Sequence, residues 1–131
     1  MEKKKRTGAI IIKNGKLLFV KGKGFKELWI PGGKIESESE EECLRRELKE
    51  EIGVEIEKLK FFREFSSQSF YSPRFTINRV YIVNIKNKPV PKNEIEEIIW
   101  LSKEDFLNKR FPMIPVIEEK IIPELISEGY F

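Results

Sequence analysis

Residues 32–54 read GGKIESESEEECLRRELKEEIGV, a glycine doublet leading into one amphipathic helix. Leu44, Leu48 and Ile52 recur at i+4 spacing, and Gly53 stands where a helix C-terminal cap belongs. Ser37 or Ser39 can cap the N-terminus, ahead of Glu40–Glu42, whose charge suits the positive end of the helix dipole. The spacing predicts a helix from about Ser39 to Ile52, with the backbone forced to turn at Pro31-Gly32-Gly33 before it.

Each helical residue advances about 100°, so with Glu47 at zero, Glu50 falls at about −60° and Glu51 at about +40°. Leu44, Leu48 and Ile52 then lie at about +60°, +100° and +140°. Three carboxylates therefore share an arc beside the core-facing stripe. Their repulsion and partial desolvation are unfavourable alone. Magnesium or manganese, which favour oxygen ligands, would relieve both. Taken by itself, Glu-x-x-Glu-Glu near Arg45, Arg46 and Lys49 is more often a solvated helix face.

Composition narrows the chemistry further. The chain has 131 residues, 40% apolar and 36% charged, with one cysteine and no histidine. One domain over residues 1–131 is expected at that length. Cys43 alone excludes a disulfide framework, and the lack of imidazole excludes cysteine–histidine zinc sites and serine or cysteine triads. Catalysis would fall to carboxylates, lysine, arginine, tyrosine or a metal. No apolar run approaches the roughly 18 residues of a membrane span, and Met1–Arg6 does not lead into a signal-peptide core, so a cytoplasmic protein without membrane partners is expected. The net charge of +3 is segregated: +8 over residues 1–34, −7 over 36–57 and +2 over 58–131. Such a junction is either two solvated faces or a place where cations meet an anionic ligand.

Outward from the helix the pattern is strand-rich. Thr7–Ile12, Asn14-Gly15 and Lys16–Val20 predict a β-hairpin, since Asn-Gly accepts the positive φ of tight turns. Lys21–Lys26 reads as a basic loop and Leu28–Ile30 as a short strand. Lys58–Ser66 and Phe75–Ile85 read as longer strands, followed by a proline-bearing loop at Lys86–Asn93 and a strand at Ile95–Leu101. Ser102 opens a short helix, and Val116–Ser127 is a final helix interrupted by Pro123. The order fits an α+β fold or a mixed-sheet sandwich. Lys3–Arg6 is expected to be a solvated basic arm more than a nucleic-acid site.

Gly32, then Glu38 after five residues, then Arg46-Glu47-Leu48-Lys49-Glu50-Glu51-Ile52-Gly53-Val54 after seven, satisfies the nine fixed positions of the Nudix box. Pro31-Gly32-Gly33-Lys34-Ile35-Glu36 resembles the lead-in of MutT-like members. The resemblance covers nearly the whole chain. It implies an α/β/α sandwich with a mixed sheet, and a metal-dependent hydrolase of a nucleoside diphosphate linked to another group. Hydrolysis of nucleoside triphosphates to a monophosphate and pyrophosphate leads, with dinucleoside polyphosphate or ADP-ribose hydrolysis, or a non-catalytic nucleotide-binding module, as alternatives.

The resemblance also implies site residues. Glu47, Glu50 and Glu51 would hold Mg2+, with Mn2+ able to substitute, and a glutamate would deprotonate the attacking water. Glu38 stands five residues after Gly33 where relatives have six, so either Gly32 or Gly33 offers the metal its carbonyl. Arg46 would orient a carboxylate, Glu50 at i+4 being in reach. Glu94, ahead of Glu97, would add a further acid. Phe70, Tyr71 and Phe75 would build the base pocket, with core packing equally open to Phe75. By its charge and position Lys34 could attract phosphates, with ordinary surface charge the alternative. Lys21, Lys23 and Lys26 could attract phosphates but read first as surface charge, and Trp29 and Trp100 as strand core. A nucleotide is the implied partner, and a monomer or homodimer the implied state.

Overall fold

The computed structural model describes residues 3–131. Asn14 and Gly15 take φ of 53° and 75° and close the hairpin between β2 (Ile12–Lys13) and β3 (Lys16–Gly22). β1 (Lys3–Ile10) lies between β4 (Gly32–Lys34), antiparallel, and β6 (Phe75–Ile85), parallel; β5 (Ile56–Gln68) flanks β6. This mixed sheet has the order β4-β1-β6-β5, and a second sheet runs β2-β3-β7 with β7 at Ile95–Ser102.

Strand alternation builds two cores, one on each side. Ala9, Ile11, Leu18, Val20 and Val83 pack against Leu44, Leu48 and Ile52 of the first helix, α1 (Glu40–Ile52). Ile10, Leu17, Phe19 and Val80 pack against Ile117, Ile121, Ile122 and Leu125 near the C-terminus. Neighbours along a strand thus serve opposite layers, giving the expected α/β/α sandwich. Both tryptophans are half-buried; Trp29 packs against both cores and Trp100 against the α1 side alone.

The helix caps follow the sequence closely. Ser39, of the two serines considered, is the N-cap: its hydroxyl accepts from Glu42 N–H while Glu42 accepts from Ser39 N–H. Gly53 takes the left-handed conformation, φ 67°, and donates to the Lys49 carbonyl. Ser102 caps the short α2 (Lys103–Leu107) in the same reciprocal way through Asp105.

Three expectations are corrected. Lys3–Arg6 is no free arm but the first half of β1, paired with residues 75–78 of β6. Leu28–Ile30 forms no ladder. Among the described residues Trp29 bridges only to Val20 and Leu28 only to Met113, so the segment ties β3 to the 112–114 stretch. The final helix is not uniformly α: Ile117–Ile121 is π-helical before α3 (Ile122–Ser127). Pro123 lacks an N–H and crowds the carbonyl four residues back, and the widened turn, in which Ile122 N–H reaches the Ile117 carbonyl, accommodates it.

Candidate active site

The helical arc sorts its three glutamates by burial as their angles require. Glu51, nearest the core stripe, is 5% exposed. The Glu47 side chain is 15% exposed and Glu50, farthest away, 53%. Across from them stands the edge of β4. Gly32 N–H donates to Glu51 Oε1 at 3.2 Å, and a Cβ on Gly33 would lie 2.4 Å from Glu47 Cδ, so this approach requires glycine. The two glycines differ. Gly33 faces Thr7 of β1, and its carbonyl accepts the Thr7 hydroxyl at 3.4 Å and lies 3.7 Å from Cys43 Sγ. Gly32 turns its amide to Glu51.

Burial pushes the Glu51 carboxyl far above the ordinary carboxylate range; the Gly32 amide opposes this, and the charges of Glu47 and Glu94 add to it. That influence places Glu94, carried in just before β7, within electrostatic reach of Glu51. Glu97 pairs in register with Lys21. Glu96 holds Lys21 at 2.6 Å, which takes that lysine from the set of free phosphate attractors.

Arg46 is a clamp with a partner the helix spacing does not reveal. Its Nε donates to Glu38 Oε1 at 3.0 Å and its Nη1 to Glu47 Oε1 at 2.8 Å, while Glu50, the i+4 candidate, is 3.7 Å away. The Arg46 fork holds the Glu38 carboxyl below its usual range. Glu38 is thus the carboxylate that one arm of Arg46 grips, its signal being its fixed distance before Arg46. Arg46→Lys keeps the charge but loses the two-armed grip. We expect it to lower kcat about tenfold with KM changed less than twofold, measured in steady-state assays with excess divalent cation. An unchanged kcat would remove the clamp from the catalytic machinery.

The donor set is all oxygen, with a buried carboxylate raised further by the charges of Glu47 and Glu94, and it fits a hard divalent cation. Among the described residues no three acidic side chains already converge on one point; Arg46 holds Glu47 instead.

On the opposite face of the same sheet edge lies a cleft of about 540 Å3. Phe25, Trp29, Phe70 and Tyr71 wall it, with ring centroids 5.8 Å apart for Phe25–Trp29, 5.1 Å for Phe25–Tyr71 and 4.8 Å for Phe70–Tyr71. Tyr71 also donates to Glu27 at 3.2 Å, joining two loops. Phe75 is neither in the cleft nor in the core. Thr76 and Asn78 face the cleft, so alternation turns Phe75 to the other side, 38% exposed. Lys34 is exposed on β4, paired in register with Arg6, and is not part of the cleft wall. Sequence reasoning missed Phe25, Trp29 and Arg6, which reach the cleft only through long-range pairing.

The chain matches the NUDIX domain family over residues 3–125. A 59-residue stretch is 44% identical to the 8-oxo-dGTP diphosphatase of Buchnera aphidicola subsp. Schizaphis graminum, covering 41% of this chain and 45% of that relative, less than half its length. Among solved structures, the E. coli ORF135 protein superposes with a TM-score of 0.79 at 23% identity, over 98% of this chain and 93% of that one. MutT from Aliivibrio salmonicida and Vibrio cholerae gives 0.76 at 22% identity, over 97% and 99%. At these identities the structures attest the shared fold. No helix among the described residues is long and apolar enough to cross a membrane.

Proposed function

The chain belongs to the NUDIX domain family of hydrolases acting on phosphoric anhydride bonds, and from that premise we propose that it hydrolyses nucleoside triphosphates to a monophosphate and pyrophosphate. The observation that carries this reading is the pairing of two features on one sheet edge: the carboxylate arc of α1 against Gly32-Gly33, and an aromatic cleft with the volume for a nucleobase. The partial match to an 8-oxo-dGTP diphosphatase favours a triphosphate, modified ones included.

Glu47, Glu50 and Glu51 would hold magnesium, or manganese in its place, with Gly32 the better carbonyl donor because that of Gly33 is engaged by Thr7. When bound, the cation neutralises diphosphate charge and acidifies a water. The chain supplies the rest. Arg46 and Glu38 keep Glu47 in place, and Lys34, just beyond the glycines, attracts phosphates. Water oxygen bonds to phosphorus, the anhydride P–O bond breaks, and the water's proton passes to a carboxylate of the arc or to Glu94, since the chain has no histidine. Phe70 and Tyr71 stack on the base.

One panel tests this: canonical and oxidised nucleoside triphosphates, diadenosine polyphosphates, ADP-ribose and capped RNA, each with magnesium or manganese and with products resolved. Monophosphate and pyrophosphate from a triphosphate, at the highest kcat/KM of the panel, is the expected result. Preference for a dinucleotide or ADP-ribose would replace the substrate, and turnover of none with retained nucleotide binding would replace the enzyme reading by a binding module.

A further inference from the structure

The chain has seven arginines, and five of them, Arg45, Arg46, Arg63, Arg79 and Arg110, stand in ion pairs. Arg6 and Arg74 do not, among the described residues. Arg6 is half-buried and forms part of the cleft wall, and no carboxylate among the described residues lines that cleft. A guanidinium held against an apolar chamber without a counter-charge carries a desolvation cost that a ligand can offset.

The floor around Arg6 is built by register. β1 pairs Arg6 with Asn78 of β6, and β5 sets Phe65 opposite Asn78. Asn78 Nδ2 donates to the Phe65 carbonyl at 3.3 Å, which anchors the amide, and among the described residues no hydrogen bond joins Asn78 to Arg6. Aromatic rings wall the chamber, which suits a flat heterocycle better than a bare phosphate. What the chamber offers such a ring from Arg6 is donors only, in a planar fork.

We infer that Arg6 is a specificity-determining residue that reads position 6 of a purine, favouring a carbonyl there over an amino group. The inference rests on the nucleotide reading above and names the class of base. A 6-oxo purine presents an acceptor to the fork. A 6-amino purine presents N–H against N–H and leaves donors unpaired in a confined site. Lys4 marks the polarity of this corner: burial and the charges of Arg6, Lys34 and Arg74 together lower its ammonium from the ordinary range. An electron-rich ligand edge is what the corner lacks.

The test uses purines that differ at position 6 and in the proton on N1. Binding of IMP and AMP is measured by calorimetry in chelator, and kcat/KM for dITP and dATP with magnesium, in wild type, Arg6→Gln and Arg6→Lys. Wild type should favour the 6-oxo ligand between about fivefold and about a hundredfold in both readouts. Arg6→Gln should bring the ratio below about twofold. Arg6→Lys, which keeps the charge without the fork, should lose most of it as well, and it decides the matter if the glutamine variant melts early. Equal binding of IMP and AMP by wild type overturns the inference. So does an unchanged ratio in both variants with all affinities lowered alike, which would make Arg6 a phosphate contact. A binding ratio that depends on Arg6 in a protein that hydrolyses no nucleotide would uphold it while removing the hydrolytic reading.

Discussion

Glu51→Gln should lower kcat by about a thousandfold and, in the absence of divalent cation, make the protein more stable at alkaline pH. The first effect follows from the family's chemistry: a cation's charge stabilisation is worth several kcal/mol, and each 1.4 kcal/mol is tenfold in rate. The second follows from burial. Glu51 is 5% exposed, and its folded-state carboxyl is raised by desolvation and by Glu47 and Glu94. A carboxyl raised on folding contributes stability at low pH, and that contribution is lost as pH climbs from the ordinary carboxylate range through the raised value. In chelator, the wild-type Tm should therefore fall between pH 6 and 8.5 more steeply than that of the variant. The glutamine keeps an oxygen for the Gly32 amide and removes the buried charge. Magnesium at about 100 times its Kd should restore about 3 kcal/mol to the wild type and little to the variant. Parallel melting curves in chelator, or equal turnover, would dismiss Glu51 as the buried member of the arc.

Gly32→Ala and Gly33→Ala should fail in opposite ways although they are adjacent. At Gly32 φ is 148°, and a Cβ would sit 2.1 Å from the Thr7 carbonyl oxygen and 2.9 Å from Gly8 Cα. These are backbone atoms of β1, so strain and overlap combine to about 3 kcal/mol or more, a fall in Tm of about 10 °C. At Gly33 the obstacle is the Glu47 carboxylate, 2.4 Å from the added carbon. A flexible side chain gives way, so Tm should move by only a few degrees. The displaced Glu47 leaves its place beside Arg46, and kcat should drop about a hundredfold. Thermal melts and steady-state kinetics on the two variants separate the outcomes. An inactive but fully stable Gly32→Ala would contradict the contact with Thr7.

What was legible in the sequence was what local geometry dictates. The angular offsets of Glu47, Glu50 and Glu51 from the leucine stripe translate into their order of burial, because a helix fixes angle by residue number alone. Asn14-Gly15 and Gly53 likewise declare their conformations without help from distant residues. The cleft was half legible: Phe70 and Tyr71 lie in it, Phe75 does not, and nothing local says which residue of a strand starts the alternation. Arg6 was hidden most completely. In sequence it closes a basic run, and only its parallel pairing with β6, more than seventy residues away by the register of Arg6 with Asn78, turns it inward. Glu38 was seen as a motif position, but its grip on Arg46 depends on the path of the loop before α1.

The alternation along β1 and β4 has one more outcome. Thr7 and Gly33 look toward the glutamates, while Arg6 lines the cleft on the other side, so a single pleat separates the carboxylate arc from the aromatic cleft. Substitutions at Arg6, Thr76 and Asn78 should therefore reshape the cleft without displacing the carboxylate arc. The same arrangement makes the register itself the most vulnerable inheritance: a slip of β1 by one residue would exchange the two duties at every position at once.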